Sequence, residues 1–554
     1  MRNFVRKLEL GSVAALLTAA GCNVLFGIDE NSLPPADGFG GAGPGAGGTG
    51  GAGPGVAGVG GGGEGAGRGG GTTGGGGGTG GTAGSPGTGG QGGQAGAAGQ
   101  AGAGGQANLC AGVPATLPVP KEPTEYAIDK LFVGSRNSCG LTADKALHCW
   151  GTGQNGLRGD GSLTKYGDEC GELSTNAPRV YLDTPARQVA IGAEQACALL
   201  ENDKVRCWGL NDKGQLGRPG DAVGTLGTPC ATPDVALGNV RPVQVFTGFD
   251  HACALLEGGK LRCWGANDKG QLGYGDTLPV GAVPNRTPET MGNVDIPGEV
   301  TQVALGYQRS CALTKGVPVD GGGTEDGLVY CWGFNEDGSL GYGSKGDNRG
   351  DGPDETPRTI GAVNVRQTNG ETAWRAQQLA GQWGHFCAVT TEGALRCWGA
   401  NKFGQAGWQV TTGGITNYAL MTIGDASDEV PDMKGDVDLG AGTKVLEVSV
   451  GLDFSCARLA GSKRVRCWGY GDQGQLGYGK AERIGDDEPI NNPSLLVDLG
   501  GLAERLMAGR LHSCAVLESG AIVCWGDNDH GQLGIGRSED IGDNENPSAS
   551  FACR

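Results

Sequence analysis

The chain is short of positive charge. Over 554 residues, 42 Lys and Arg stand against 60 Asp and Glu, a formal net charge of −18. This argues against a nucleic-acid partner, because a phosphate backbone is held by a basic face. An acidic surface instead keeps an exported protein soluble. The 19 cysteines include no CxxC and no CxxCH, so neither a dithiol redox motif nor haem attachment is read. There is no P-loop and no HExxH. Histidine is scarce: His148, His251, His385, His512 and His530 are all there are, and their spacing assembles no Ser-His-Asp set. Amphipathic helical stretches are missing, which excludes a helical repeat array. The apolar run from Leu10 to Ala20 is too short to cross a bilayer.

That run belongs to "MRNFVRKLELGSVAALLTAAGC". Arg2, Arg6 and Lys7 give a positive start, the apolar core follows, and Ala19, Ala20 and Gly21 lead into Cys22. The pattern is that of an export signal over residues 1–21. Small residues before a Cys resemble a bacterial lipoprotein cleavage site, which implies that Cys22 becomes the acylated first residue, anchored in a lipid bilayer. Asn23, where an Asp would signal retention, implies the outer membrane or cell surface.

Residues 22–107 are expected to be a tether. From residue 38 onward they are mostly Gly with Ala, Thr, Gln and Ser, and carry almost nothing apolar larger than Ala to build a core. Collagen would need Gly at every third position, and "GGTGGAGPGVAGVGGGGEGAG" has no such period. A disordered Gly-rich linker of this length reaches roughly 45 Å.

Residues 108–554 are a repeat array. "CWG" returns at Cys149, Cys207, Cys263, Cys331, Cys397, Cys467 and Cys524. A period this long, with β-branched runs broken by Gly turns, predicts an all-β propeller or solenoid. Each CWG cysteine follows another: Cys139, Cys197, Cys253, Cys311, Cys387, Cys456 and Cys514. In "CALLEGGKLRC" a turn at Glu257 to Gly259 places Cys253 opposite Cys263 and Leu255 opposite Leu261. Directly opposed residues on antiparallel strands have Cβ atoms ~4.5–5.5 Å apart, close to disulfide geometry. Seven hairpin disulfides are therefore expected, and they are structural. The wider Cys311–Cys331 spacing is filled by a Gly-rich loop that need not disturb the pairing. Cys456–Cys467, one residue longer than the rest, needs a longer turn or a bulge.

The full unit, "GxxHxCALxxxxxLxCWGxNxxGQLG", resembles the regulator of chromosome condensation repeat family. Gly248, His251, Ala254, Leu255, Trp264, Gly265, Asn267, Gly270, Gln271, Leu272 and Gly273 carry the resemblance, which covers about 445 residues. It implies a seven-bladed β-propeller. The His place is taken by Asn137, Gln195, Arg309 and Phe454 in units one, two, four and six, and His385 is shifted in unit five. The resemblance also implies work by presentation of loop faces: a non-enzymatic envelope scaffold binding a protein or glycan. An envelope hydrolase or lyase with a site on one propeller face is the alternative. Guanine nucleotide exchange, the activity of the family's namesake, does not fit an exported chain.

No cofactor is expected. Calcium is the one ion considered, because acidic strings recur: "IGDASDEVP" at Ile423, "IGDDEP" at Ile484, "IGDNENP" at Ile541 and "DNRGDG" at Asp347. Four cysteines remain beside Cys22 and the hairpins. Cys170 and Cys230 occupy matching loops of adjacent units and are expected to pair. The tail "NPSASFACR" is expected to supply a strand to the first blade, bringing Cys553 to Cys110 as a second disulfide.

Overall fold

The computed structural model describes residues 127–220, 229–319, 321–365, 375–412, 415–417 and 420–549. The export signal, Cys22, the tether, Cys110 and Cys553 lie outside them. Among the described residues, seven antiparallel sheets of three or four strands follow one another along the chain, joined by two short hairpins. The first sheet contains Ile128–Val133, Asn137–Thr142, Leu147–Gly151 and Arg179–Val180. The third contains Pro242–Thr247, His251–Leu256 and Lys260–Gly265. The seventh contains Ala503–Ala508, His512–Leu517 and Ile522–Gly526. First strands of successive sheets contact one another, and the first sheet also contacts the seventh, so the sheets are the seven blades of a closed propeller.

The hairpin register is the one read from the spacing. Cys253 faces Cys263 and Leu255 faces Leu261. Disulfides join Cys139–Cys149, Cys197–Cys207, Cys253–Cys263, Cys311–Cys331, Cys387–Cys397, Cys456–Cys467 and Cys514–Cys524. The long insert of blade 4 forms its own hairpin, Val317–Val319 with Gly323–Glu325, and leaves the Cys311–Cys331 pairing intact. Blade 6 absorbs its extra residue in the turn, where Gly461 and Lys463 both take positive φ.

Packing between blades centres on the repeated Trp. Trp150, Trp208, Trp264, Trp332, Trp398, Trp468 and Trp525 are fully buried. A Trp supplies a large apolar body and one N–H that wants an acceptor. Trp264 Nε1 donates to the Gln215 carbonyl of the preceding blade at 3.0 Å, and Trp332 to Gln271 at 2.9 Å. Trp150 of blade 1 makes the same bond to Gln532 of blade 7, at 3.0 Å. The seam where the ring closes is thus packed like the others.

Two expectations are corrected here. Blade 1 takes all four of its described strands from its own segment, ending at Arg179–Val180, and none from the tail as far as Ala549. The described tail ends in a turn of 3-10 helix, Pro547–Ala549, that packs on the third strand of blade 7. Among the described residues each blade keeps the segment that follows its own CWG strand. Secondly, Cys170 and Cys230 are both disulfide-bonded, yet they stand at different seams. The loop of Cys170 lies against blade 7, where Ser174 N–H donates to the Gly534 carbonyl at 2.8 Å. Cys230 lies against blade 1, its N–H donating to the Tyr181 carbonyl at 3.1 Å. Equivalent loops face equivalent seams one blade apart, so the two matching loops carry their cysteines to different seams.

Candidate binding face

The hairpin register decides which loops share a face. His251 pairs with Gly265, so the loop before the second strand and the loop after the third emerge together. In every blade, then, the two free residues of GxxH and the NxxGQLG loop lie on one face. The disulfide-stapled turns lie on the other.

The free GxxH positions carry half-buried aromatics in three consecutive blades. Phe249, Tyr307 and Trp383 form one cluster, with ring centroids 4.8 Å apart for Phe249–Tyr307 and 4.5 Å for the stacked Tyr307–Trp383. A second cluster joins Phe403 and Tyr470 at 5.1 Å, with the Arg483 guanidinium 5.0 Å and 5.6 Å from their ring centroids. Aromatic faces attract cations in this way.

Charged and polar groups tie each loop to the next blade. Asn155 Nδ2 donates to Glu194 at 3.3 Å, Lys213 pairs with Asp250 at 2.8 Å, and Gln405 Nε2 donates to Asp453 at 2.9 Å. Burial raises Glu194 and Asp250 above the usual carboxylate range and lifts Asp453 to about 6. Near Tyr307, Asp212, Asp250 and Asp268 press on one another, while Lys213 and Arg309 bring the opposite sign. This side of the face therefore sets charges of both signs beside half-buried rings.

All five histidines have identifiable places, and three make one recurring contact across a seam. His251 Nε2 lies 3.0 Å from Ser310 Oγ, His385 Nε2 2.9 Å from Ser455 Oγ, and His512 Nε2 3.4 Å from Ser138 Oγ. Each Ser belongs to the next blade and gives its only proton to a loop carbonyl: Ser310 to Gln271, Ser455 to Gln405, Ser138 to Gln532. The histidine must therefore donate, which fixes the neutral Nε2–H tautomer. The three Nδ1 atoms are buried without a hydrogen-bond partner. Burial lowers all three imidazoles to about 3. These are structural latches, not bases poised for catalysis. His385 is not shifted: it stands two residues before the first Cys of its unit, as His251 does, with Gln382 in the Gly place and Trp383 in the left-handed region at φ 46°. His148 donates from Nδ1 to the Ala177 carbonyl at 2.6 Å, and burial lowers His530 to about 4.

The acidic strings begin at this same face, further out. Asp486, Asp487 and Glu488 offer carboxylate oxygens within 4.8 Å of one another, as do Asp527, Asp529 and Asp540. Among the described residues these are the two groups that could hold a divalent cation. Burial, with Asp487 next to it, lifts Glu488 to about 7, and burial lifts Asp540 to about 7. The first group lines an open groove of about 600 Å³ with Asp472, Lys480 and Arg483. The "DNRGDG" string does not form a cation loop: Asp347 is exposed, and Arg349 takes the backbone place opposite Gly333 and lies over the Tyr342 ring.

The aromatic clusters were missed in the sequence. The signal of the first was there, in the two unassigned positions of GxxH, which read Ser-Arg, Ala-Glu, Phe-Asp and Tyr-Gln in blades 1 to 4. Nothing in one repeat says that these positions meet their counterparts around the ring.

The molecule is thus a closed, disulfide-stapled propeller with one loop face of aromatic and charged residues. Comparison with known proteins gives the repeat its name. The regulator of chromosome condensation (RCC1) repeat matches residues 128–157, 186–215, 243–271, 380–405 and 508–532 in one form, and 259–313 and 326–389 in another. The chain is an RCC1-repeat β-propeller. The ultraviolet-B receptor UVR8 of Arabidopsis thaliana is 27% identical over 419 residues, 74% of this chain and 79% of that one. The E3 ubiquitin-protein ligase HERC2 of Homo sapiens is 29% identical over 378 residues, 60% of this chain but 7% of that one. Among solved structures, human WBSCR16 aligns with a TM-score of 0.50 at 22% identity, covering 71% of this chain and 91% of that one. Yeast RCC1 (Prp20), solved bound to Kap60, aligns with a TM-score of 0.51 at 19% identity, covering 76% and 84%. At these identities the structural likeness is one of fold.

Proposed function

We propose that this protein is a non-enzymatic scaffold of the cell envelope, held to a lipid bilayer through Cys22 and presenting the GxxH loop face to a protein or glycan partner. One observation carries the reading. The half-buried Phe249–Tyr307–Trp383 cluster stands at loop tips in a ring of charged groups, the composition of a binding hot spot rather than of a reaction centre. Yeast RCC1 (Prp20) was solved bound to a protein, Kap60, which supports a protein as the partner class. The histidines, committed to seams between blades, leave the enzymatic alternative without a base of ordinary pKa among themselves.

Two measurements test this. Tyr307→Ser with Trp383→Ser should leave the unfolding temperature within a few degrees and abolish at least tenfold of the capture of envelope components by the wild-type protein. Equal capture by both proteins would move the binding face elsewhere. Cys22→Ser should leave the protein exported but released from membranes, since the acyl anchor is then lost. A variant that still sediments with membranes after a salt wash would sink the anchor.

A further inference from the structure

We infer that Cys170 and Cys553 form a disulfide across the seam between blade 1 and blade 7, the one seam that no chain connection crosses. Cys170 is disulfide-bonded, and all fourteen hairpin cysteines are paired with one another. Its partner therefore comes from Cys22, Cys110, Cys230 and Cys553.

Repeat equivalence singles out the last. In each of blades 2 to 6 a Val N–H in the fourth-strand place donates to the carbonyl two residues before the CWG cysteine. Val235 bonds Val205, Val294 bonds Leu261, Val363 bonds Val329, Val437 bonds Leu395 and Val497 bonds Val465. In blade 1, Val180 pairs with Leu147 in the same way. A short helical turn opens this segment. It begins at Ser174, Pro229, Pro288, Pro357 and Pro431 in the first five blades, and the Val stands six residues later in all five. In blade 7 the turn begins at Pro547. Six residues later stands Cys553. Cys553 lies beyond the described residues and is placed here by that equivalence alone.

What the Val touches is the second half of the argument. A Cβ built on Gly159 would meet Val180, Trp208 and Pro229, that is, its own blade's Val, the next blade's Trp and the first residue of the next blade's turn. Gly217, Gly273 and Gly477 likewise have Val235, Val294 and Val497 beside the next blade's Trp. The blade 7 counterpart is Gly534, whose Cβ would meet Trp150 and Ser174 of blade 1. In the other blades the Val completes that set, and in blade 7 the repeat equivalence gives its place to Cys553. The blade 1 loop beside it is the loop of Cys170. Leu173 bridges Ile535, Ser174 N–H bonds the Gly534 carbonyl, and a Cβ on Gly536 would meet Glu169 and Gly171, the neighbours of Cys170 on either side. Cys230 faces a different seam. By that equivalence a cysteine takes the Val place at the seam between blades 7 and 1, beside the loop that carries Cys170.

The bond forms by thiol–disulfide exchange. The Cys170 and Cys553 thiols give up two protons and two electrons, and the disulfide of a thiol oxidant, of the class that oxidises the hairpin pairs, is reduced to two thiols. Cys230, also bonded, is then left with Cys110 once Cys22 is committed to the anchor.

Tryptic mapping of the full-length oxidised protein without reductant is the test. Cleavage after Lys165, Arg179 and Arg537 isolates Cys170 in residues 166–179 and Cys553 in residues 538–554. The two peptides should appear as one linked species that separates on reduction. In Cys170→Ser, the peptide of residues 538–554 should become alkylatable without reductant. Either peptide linked instead to one carrying Cys110 or Cys230, or either thiol free in the wild type, overturns the inference.

Discussion

Refolded with reductant present, the propeller will not regain its native state at a temperature where the oxidised protein is folded. Each hairpin disulfide but one closes a loop of ten or eleven residues, and the exception closes twenty. Chain entropy assigns ~3 kcal/mol to a loop of this size. Seven such contributions amount to roughly 20 kcal/mol, above the 5–15 kcal/mol by which domains are usually stable. Hydrophobic burial alone therefore does not carry the fold. The sulfurs are almost wholly inaccessible, Cys253 and Cys263 entirely so, and the experiment has to start from denatured, reduced chain. Near-ultraviolet circular dichroism reports the seven buried Trp. A reduced protein that regains the oxidised spectrum and melts within a few degrees of it would mean that the staples are incidental. Cys253→Ala with Cys263→Ala should show the single-hairpin effect, about 3 kcal/mol in urea unfolding.

Acid should loosen three seams at once. His251, His385 and His512 take a proton at about 3 in the folded protein, against about 6.5 in an unfolded chain. Below 6.5 the unfolded state binds more protons, so the contribution of each latch is complete above pH 6.5 and declines as pH falls toward 3. The slope is about 1.4 kcal/mol per pH unit for each His, or ~2 kcal/mol each and ~6 kcal/mol together at pH 5. Buried carboxylates such as Asp453 and Asp540 pull the other way, because folding raises their pKa values. The measurement is accordingly a difference. Blade 2 carries Gln195 in the latch position, reaching the Gly248 carbonyl of blade 3 at 3.1 Å, so the site accepts Gln. Wild type and the triple His→Gln variant should differ in urea stability by several kcal/mol more at pH 7 than at pH 5, the wild type losing its advantage in acid. A pH-independent difference would show that the imidazoles do not titrate as buried neutral groups.

The latch was nearly legible. His251, His385 and His512 are each followed, one repeat later, by Ser310, Ser455 and Ser138 in the place before the first Cys, the last by wrapping around the ring. Read along the chain, these are a histidine and a serine 59 or 70 residues apart. Only the closed ring makes them neighbours. The same holds for Phe249, Tyr307 and Trp383, which look like loose variation at free positions until three consecutive blades converge at one face.

Within a single repeat, the sequence by itself determined nearly everything. Alternation set the strands, turn length set the register, and the register put Cys253 opposite Cys263 in a contact spanning ten residues. Such local geometry depends on the backbone alone, since opposed residues on a hairpin have nowhere else to be. Seven repeats then set the number of blades. The tertiary structure decided every relation between repeats: which seam a loop faces, which blade keeps the tail, which Ser meets which His, and which face gathers the aromatics. Sequence equivalence misled where it was read as proximity, for Cys170 and Cys230 sit in matching loops, and matching loops face seams one blade apart. A ring rotates each copy away from the last by one blade, so like positions are related by symmetry, and contact across a seam joins unlike ones.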